Sequence, residues 1–367
     1  MDLTLKDHQR SLVERARSVA AEYIGPRALE SHRDGTFPIE ALAELSRAGL
    51  MGVNISSRLG GSEAGVVAYS LAVTEVASAD PAVAVTMAVN NMVGEVLEAF
   101  GSPSLQEGVI PALTSGEASS GAFCLSEPGS GSDAAGMRTR ATRCDDGWSI
   151  DGTKAWITSG AHAHIYLVWA KTDDTISLFA VDPQLPGISI GPPEEKLGQH
   201  ASNTVTLSFD EVAVDEQALV GEIGDGFPIA MMALDGGRIG IASQSLGIGL
   251  ASWELATNHL DDQALDQLRP LRGDLASARA MTLRAAWLKE QGERSFTREA
   301  SMAKMLASEA AQAIAEAVYA RLPLAEDHPD LIWAAKLIED VRVTRIYEGT
   351  NEIQRLVIAR DLIRRGL

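Results

Sequence analysis

Glu348 stands in the run Arg345-Ile346-Tyr347-Glu348-Gly349-Thr350-Asn351-Glu352-Ile353-Gln354-Arg355. A helix is expected to end near Tyr347, and Gly349 permits the break. Asn351 and Gln354 have the spacing of a capping box for the next helix. Glu348 then sits at a corner between helices, off any solvated helix face. A carboxylate partly desolvated there has a raised pKa and is a better base near neutrality. The plain alternative is an exposed corner glutamate, the usual fate of an arbitrary Glu.

Two further runs could handle a cofactor. Phe123-Cys124-Leu125-Ser126-Glu127-Pro128-Gly129-Ser130-Gly131-Ser132-Asp133 follows a strand-like stretch and concentrates Gly, Ser and Pro. Its N–H groups and hydroxyls suit a phosphate or the polar edge of a cofactor. Gly129, Gly131 and Ala134 match GxGxxA. A dinucleotide-binding turn would next open an apolar helix, whereas polar, strand-like residues follow here, so that reading is rejected. A Gly-Ser surface turn is the plain alternative. Trp156-Ile157-Thr158-Ser159-Gly160 closes another strand-like run. It reads as a core Trp, or as an aromatic wall beside a flat cofactor with Thr158 bonding the cofactor's edge.

The elements that must position these residues fall into three textures. Residues 1–116 read as helices, with Leu12, Val13, Ala16, Val19, Ala20, Tyr23 and Ile24 at helical spacing. Pro26 then interrupts. Pro38 opens a second helix at its first position and Gly49 closes it. Residues 65–79 and 82–99 read as two more helices, parted by Asp80-Pro81. Residues 117–225 turn to short runs rich in Val, Ile, Thr and aromatics, suggesting a β domain of about seven or eight strands. Within it, Asp151-Gly152 reads as a turn between two strands. Residues 226–367 return to longer, Ala-rich helices at 228–260, 265–292, 297–321, 330–347 and 352–365. The order is helices, β, helices. An alternating βαβ pattern is absent, which argues against a doubly wound parallel sheet.

Composition narrows the partners. The 367 residues carry 31 Lys+Arg against 50 Asp+Glu, a net charge of −19. Nucleic acid and anionic membranes need the opposite balance. The two cysteines, Cys124 and Cys144, exclude a disulfide scaffold, and no CxxC offers zinc ligands, so no metal is expected. No secretory h-region opens the chain, and no run approaches 18 apolar residues, so a cytoplasmic location is expected.

CLSEPGSGSDAAG, WITSG, ALDGGRIGIASQSLGIG at 233–249 and RIYEGTNEIQRLVIAR, in this order, closely resemble the acyl-CoA dehydrogenase superfamily. The resemblance runs from about residue 5 to 365. It implies an α+β fold: an N-terminal helical domain (1–116), a central β-barrel or sandwich (117–225) and a C-terminal four-helix bundle (226–367). It also implies FAD and α,β-dehydrogenation of an acyl thioester on CoA or acyl carrier protein. Glu348 would take the α-proton while flavin N5 accepts hydride. The thioester oxygen would be held by the backbone N–H of that base and a ribityl hydroxyl. By motif position, Phe123, Leu125, Ser126, Gly131, Ser132, Trp156, Thr158, Thr350, Asn351 and Glu352 would meet the cofactor. Ser132, Asp235, Arg238 and Gly349 would meet the substrate. Some branches place the base immediately before Arg238. That position is Gly237 here, which leaves Glu348 as the candidate. Electron-transfer flavoprotein would be the usual electron acceptor.

Two family motifs are missing. An Arg-x-x-Phe-Gly loop should lie within NHLDDQALDQLRPLRGD, and a Gln-x-x-Gly-Gly-x-Gly motif within AIAEAVYARLPLAEDHPDLIW. Both normally reach the FAD of a neighbouring subunit in a homotetramer. Three readings follow from the resemblance: a dimer holding FAD mostly within one subunit, half of a heteromer, or a divergent acyl-carrier-protein-linked branch serving polyketide extender-unit biosynthesis. The short chain favours the last. A cofactor-poor partner subunit and an acyl-CoA oxidase of the same fold are the alternative functions.

Overall fold

A computed structural model describes residues 1–293 and 296–365. The first layer is helical: α1 (Asp7–Val19), α2 (Ala28–Asp34), α3 (Ile39–Arg47), α4 (Val66–Ala79), α5 (Pro81–Phe100) and α6 (Pro103–Ser115). Helix α1 buries Leu12, Val13, Ala16 and Val19 on one stripe. Pro26 does not break the chain's helical path. A π turn over Ala20–Ile24 and a 3-10 turn over Gly25–Arg27 carry it round into α2. Pro38 lies at the N-cap of α3, one residue earlier than expected. Asp80 caps α5 by accepting from the Ala82 N–H at 2.9 Å.

Helices α4 and α5 are apolar nearly all round because they are enclosed. By length and hydropathy α5 could cross a bilayer, which the reading by apolar runs missed; 78% of its most apolar window is buried inside the protein.

The middle layer is a sheet of β1 (Gly121–Cys124), β2 (Arg140–Cys144), β3 (Gly147–Thr158), β4 (Ile165–Thr172), β5 (Thr175–Val181), β6 (Ile188–Pro193), β7 (Thr204–Val214) and β8 (Leu219–Val220). Its order is β6-β7-β3-β2-β4-β5-β8, with β1 parallel to β4 at the side. Alternate residues of β4 serve two cores. Tyr166, Val168 and Ala170 join Ile150, Leu207 and Phe209 within the β domain. Ile165, Leu167 and Trp169 face Val93, Leu97 and Ile229 of the helical layers.

The structure corrects the expected turn at Asp151-Gly152. Strand β3 runs straight through it, with its register against β7 slipping between Ile150 and Gly152 and again between Lys154 and Ile157. A bulge absorbs the extra residue and re-aims a side chain.

The last layer comprises α7 (Gly226–His259), α8 (Asp262–Glu290), α9 (Thr297–Tyr319), α10 (Pro329–Arg342) and α11 (Asn351–Arg365). Helix α10 stops earlier than its sequence suggests, passing into a 3-10 turn at Val343–Arg345. A buried ionic triad locks it to the first layer: Lys336 Nζ lies 3.0 Å from Asp80 Oδ1 and 2.5 Å from Asp340 Oδ2. The Gln199 N–H of the β domain also donates to Asp340. All three layers meet at this point.

Candidate active site

The corner between α10 and α11 turns on two successive left-handed residues, Glu348 at φ 56° and Gly349 at φ 86°. Gly tolerates this region freely, whereas a residue such as Glu costs about 1–3 kcal/mol there and stays only if surrounded by restraints. The restraints are visible. Gln354 Nε2 donates to the carbonyls of Glu348 (3.0 Å) and Gly349 (2.9 Å). Lys304 Nζ of α9 donates to the same Gly349 carbonyl at 2.9 Å. The Tyr347 hydroxyl donates to Gln244 Oε1 and accepts from Gln199 Nε2. The expected capping box is therefore corrected: Thr350 Oγ1 accepts from the Ile353 N–H at 3.4 Å, while Gln354 serves carbonyls.

Glu348 is half-buried as a whole, but its Oε2 is covered and has no hydrogen-bond partner. Burial pushes its carboxyl up to about 7, against the opposing pull of Arg238 and Lys304. Helix α7 makes room for it at Gly237, where a Cβ would lie 2.5 Å from Oε2. Tyr69 of α4 is buried nearby, its phenol raised by burial and by the charges of Glu95 and Glu348. Among the described residues no acceptor takes the Glu348 N–H.

Asp235 and Arg238 flank the same spot and brace one another. Arg238 Nη1 lies 2.5 Å from Asp235 Oδ1, and Arg238 Nε reaches the Glu348 carbonyl at 3.5 Å. Asp235 also accepts from Thr297 Oγ1.

A second group gathers where the Gly-Ser loop meets β3. Trp156, at φ 57° in the second register slip, is turned outward and 55% exposed. A Cβ on Gly131 would lie 3.9 Å from its ring. Thr158 is half-buried two residues on, and Ser132 is exposed. The Ser126 carbonyl accepts from the Ala155 N–H at 2.9 Å. Phe123 packs on Trp169 with ring centroids 4.2 Å apart. Beneath the loop lies a buried pair without an assigned role in the sequence. Glu127 accepts from the N–H groups of Arg138 (2.6 Å) and Thr139 (2.9 Å) and from Lys154 Nζ (2.9 Å). Lys154 also donates to the Leu125 carbonyl at 3.1 Å. Burial would raise the Glu127 carboxyl, but these bonds hold it below its usual value.

The two groups are joined through the segment before β7. The Ser159 N–H donates to the Asn203 carbonyl at 2.7 Å, and Gln199 reaches Tyr347. Thr350 and Gly349 are half-buried beside the corner and Glu352 is exposed. Asn351 stands apart from the other expected cofactor residues. Its side chain is turned into α9, accepting from Lys304 at 3.0 Å and donating to Ser308 Oγ at 3.0 Å.

Other concave features lie elsewhere. A hollow of about 460 Å³ is lined by Trp253, Asp262 and Arg269, and one of about 650 Å³ by Ser104, His164 and Gln217. His32, His200 and Glu339 bring ligand-type atoms within 4.8 Å of one another, a cluster the sequence did not suggest. Both ring nitrogens of His200 already meet carbonyls, of His32 and Lys196.

Three family models match the chain: the acyl-CoA dehydrogenase N-terminal domain over residues 6–117, the middle domain over 122–212 and the C-terminal domain over 224–363. The mouse mitochondrial short-chain specific acyl-CoA dehydrogenase is 38% identical over 382 aligned positions, covering 98% of this chain and 91% of that protein. Butyryl-CoA dehydrogenase from Megasphaera elsdenii is 34% identical in a solved structure, with a TM-score of 0.93 and coverage of 99% and 100%. A glutaryl-CoA dehydrogenase from Mycobacterium smegmatis in complex with FADH2 is 26% identical, with a TM-score of 0.91 and coverage of 99% and 96%. The chain belongs to the acyl-CoA dehydrogenase family, oxidoreductases that act on CH–CH groups.

Proposed function

We propose that this chain oxidises a short-chain acyl-CoA at its α and β carbons, with Glu348 as the base that removes the α-proton. One observation carries the assignment: a covered, unpartnered carboxyl oxygen, held near neutrality by burial, against the bare backbone of Gly237. A base so tuned is ionised in useful amount at pH 7 and still basic enough to attack a weak C–H acid. The free N–H of Glu348 suits the thioester oxygen, where charge gathers as the proton leaves. Helix α7 leaves Asp235, Gly236 and Gly237 partly open, so an acyl group can approach there.

The family is FAD-dependent, and the residues present fit a flavin. A Trp more than half exposed in a left-handed bulge is an open apolar wall, with Gly131 close to its ring and Thr158 two residues on. Trp156, Thr158, Leu125, Ser126, Gly131, Ser132 and Thr350 would hold the cofactor. When bound, FAD supplies the acceptor for the β-hydride.

The short acyl group and the CoA carrier rest on the named relatives; an acyl-carrier-protein thioester is the other arm of the same assay. Purified protein mixed anaerobically with butyryl-CoA, longer acyl-CoAs and acyl-carrier-protein thioesters should bleach its flavin fastest with butyryl-CoA. Glu348→Gln should keep FAD and lose about 10²–10⁴-fold in bleaching rate, the usual share of a general base. Bleaching at the wild-type rate would remove Glu348 from the mechanism. Re-oxidation by electron-transfer flavoprotein rather than by oxygen separates a dehydrogenase from an oxidase.

A further inference from the structure

We infer that Lys304 is a positioning residue of this reaction: from α9 it pins the Glu348–Gly349 turn and places a cation one residue from the base. The inference rests on Glu348 being the base. Lys304 is fully covered within an Ala-rich helix. A covered ammonium costs several kcal/mol unless its protons are well placed. Its two hydrogen bonds go to neutral acceptors, the Gly349 carbonyl at 2.9 Å and Asn351 Oδ1 at 3.0 Å. One amine thus ties the residue after the base to the first turn of α11. Gln354 already donates to that same Gly349 carbonyl at 2.9 Å. A neutral donor therefore suffices to satisfy the carbonyl, and what Lys304 adds is the tie to Asn351 and, at and below neutral pH, a charge.

The charged groups around it set the sign. Burial pushes the amine down to about 7; Glu348 and Glu352 favour its charge, whereas Arg238 and Arg345 oppose it. Arg238 and Lys304 both pull the Glu348 carboxyl toward its charged form, and the charge of Glu348 in turn raises the phenols of Tyr69 and Tyr347. Removing the Lys304 cation takes away one of two forces that favour the carboxylate. The carboxyl must then rise further, so a higher pH is needed to generate the base.

The test uses the FAD-loaded enzyme and two readouts from pH 5.5 to 9: anaerobic flavin reduction by butyryl-CoA, and exchange of its α-hydrogen in D2O. Lys304→Met should move the acidic limb of both upward by about one unit, a tenfold loss on the limb. KM should change little. Lys304→Gln keeps a donor for the carbonyl but should shift the limb similarly. Gln354→Met removes the neutral donor and should lower thermal stability with the limb in place. An unmoved limb in both Lys304 variants, or an equal shift in Gln354→Met, overturns the inference. Failure of both Lys304 variants to fold with flavin bound also overturns it, since Lys304 would then serve folding alone. Undiminished exchange in Glu348→Gln would instead sink the assignment of the base.

Discussion

At the scale of residues, Glu348 and Gly237 are one device. The carboxyl is held near 7 chiefly by burial, so it is protonated below that pH and cannot act as a base. The expected outcome is a kcat/KM that falls about tenfold per unit below pH 7 and levels off above it. Stopped-flow reduction across pH 5.5–9 reads this limb, and a flat profile would contradict the raised pKa. Gly237→Ala separates activity from stability. A methyl there meets Oε2 at 2.5 Å and displaces it. Inside a helix the same change favours folding by up to about 1 kcal/mol. The variant should melt no lower than wild type yet lose about 10²-fold in flavin reduction, as misplacement by roughly 1 Å can cause. The inter-helix corner at Glu348 was legible in the sequence, but its role as base came only from the motif resemblance, and the room that Gly237 leaves for its carboxyl was not legible. Lys304 was not legible either. A lysine among alanines reads as a solvated helix position, and only tertiary packing reveals that it is covered.

At the scale of elements, β3 is the piece that turns Trp156 outward, where the proposed function puts the cofactor. A regular strand would alternate Trp156 predictably between the faces of the sheet. The slip between Lys154 and Ile157 breaks that alternation and turns Trp156 outward. The helix–β–helix order was plain from hydrophobic period and composition. The bulges were not, because Asp-Gly signals a hairpin turn as readily as an irregular strand. Just before the slip, Lys154 is fully covered and fastens β3 to the loop through Glu127 and the Leu125 carbonyl. Lys154→Met leaves Glu127 covered without its cation. Breaking such a pair costs about 3–5 kcal/mol. The variant should show a clearly lower melting temperature and weaker FAD retention on gel filtration. Wild-type values for both would mean that the loop is held without this pair.

At the scale of the whole molecule, the connectors between the C-terminal helices bear on how a cofactor could be gripped. Helices α7 and α8 are joined by Leu260 and Asp261 alone, and α9 and α10 by residues 320–328. The alignment to the mouse relative spans 382 positions, more than the 367 residues of this chain, so that relative carries residues that this chain lacks. The two-residue link reaches at most about 7 Å, too little for a long projecting loop, whereas residues 320–328 can span about 30 Å. The wall at Trp156 and the corner at Thr350 belong to one chain and are linked through Gln199 and Tyr347. FAD should therefore be gripped mostly within a single chain, even where chains associate. Ile346, Leu356 and Ile363 on and just before α11 are exposed apolar side chains open to such association, and a dimer is the state proposed. Diluting the purified protein through its dissociation range separates the two properties. The ratio of FAD to chain, read by absorbance after rapid filtration, should stay near one while light scattering reports falling mass. Flavin lost in step with mass would place essential contacts on the second subunit. A chain that never holds flavin until a different protein is co-expressed would establish the heteromer instead.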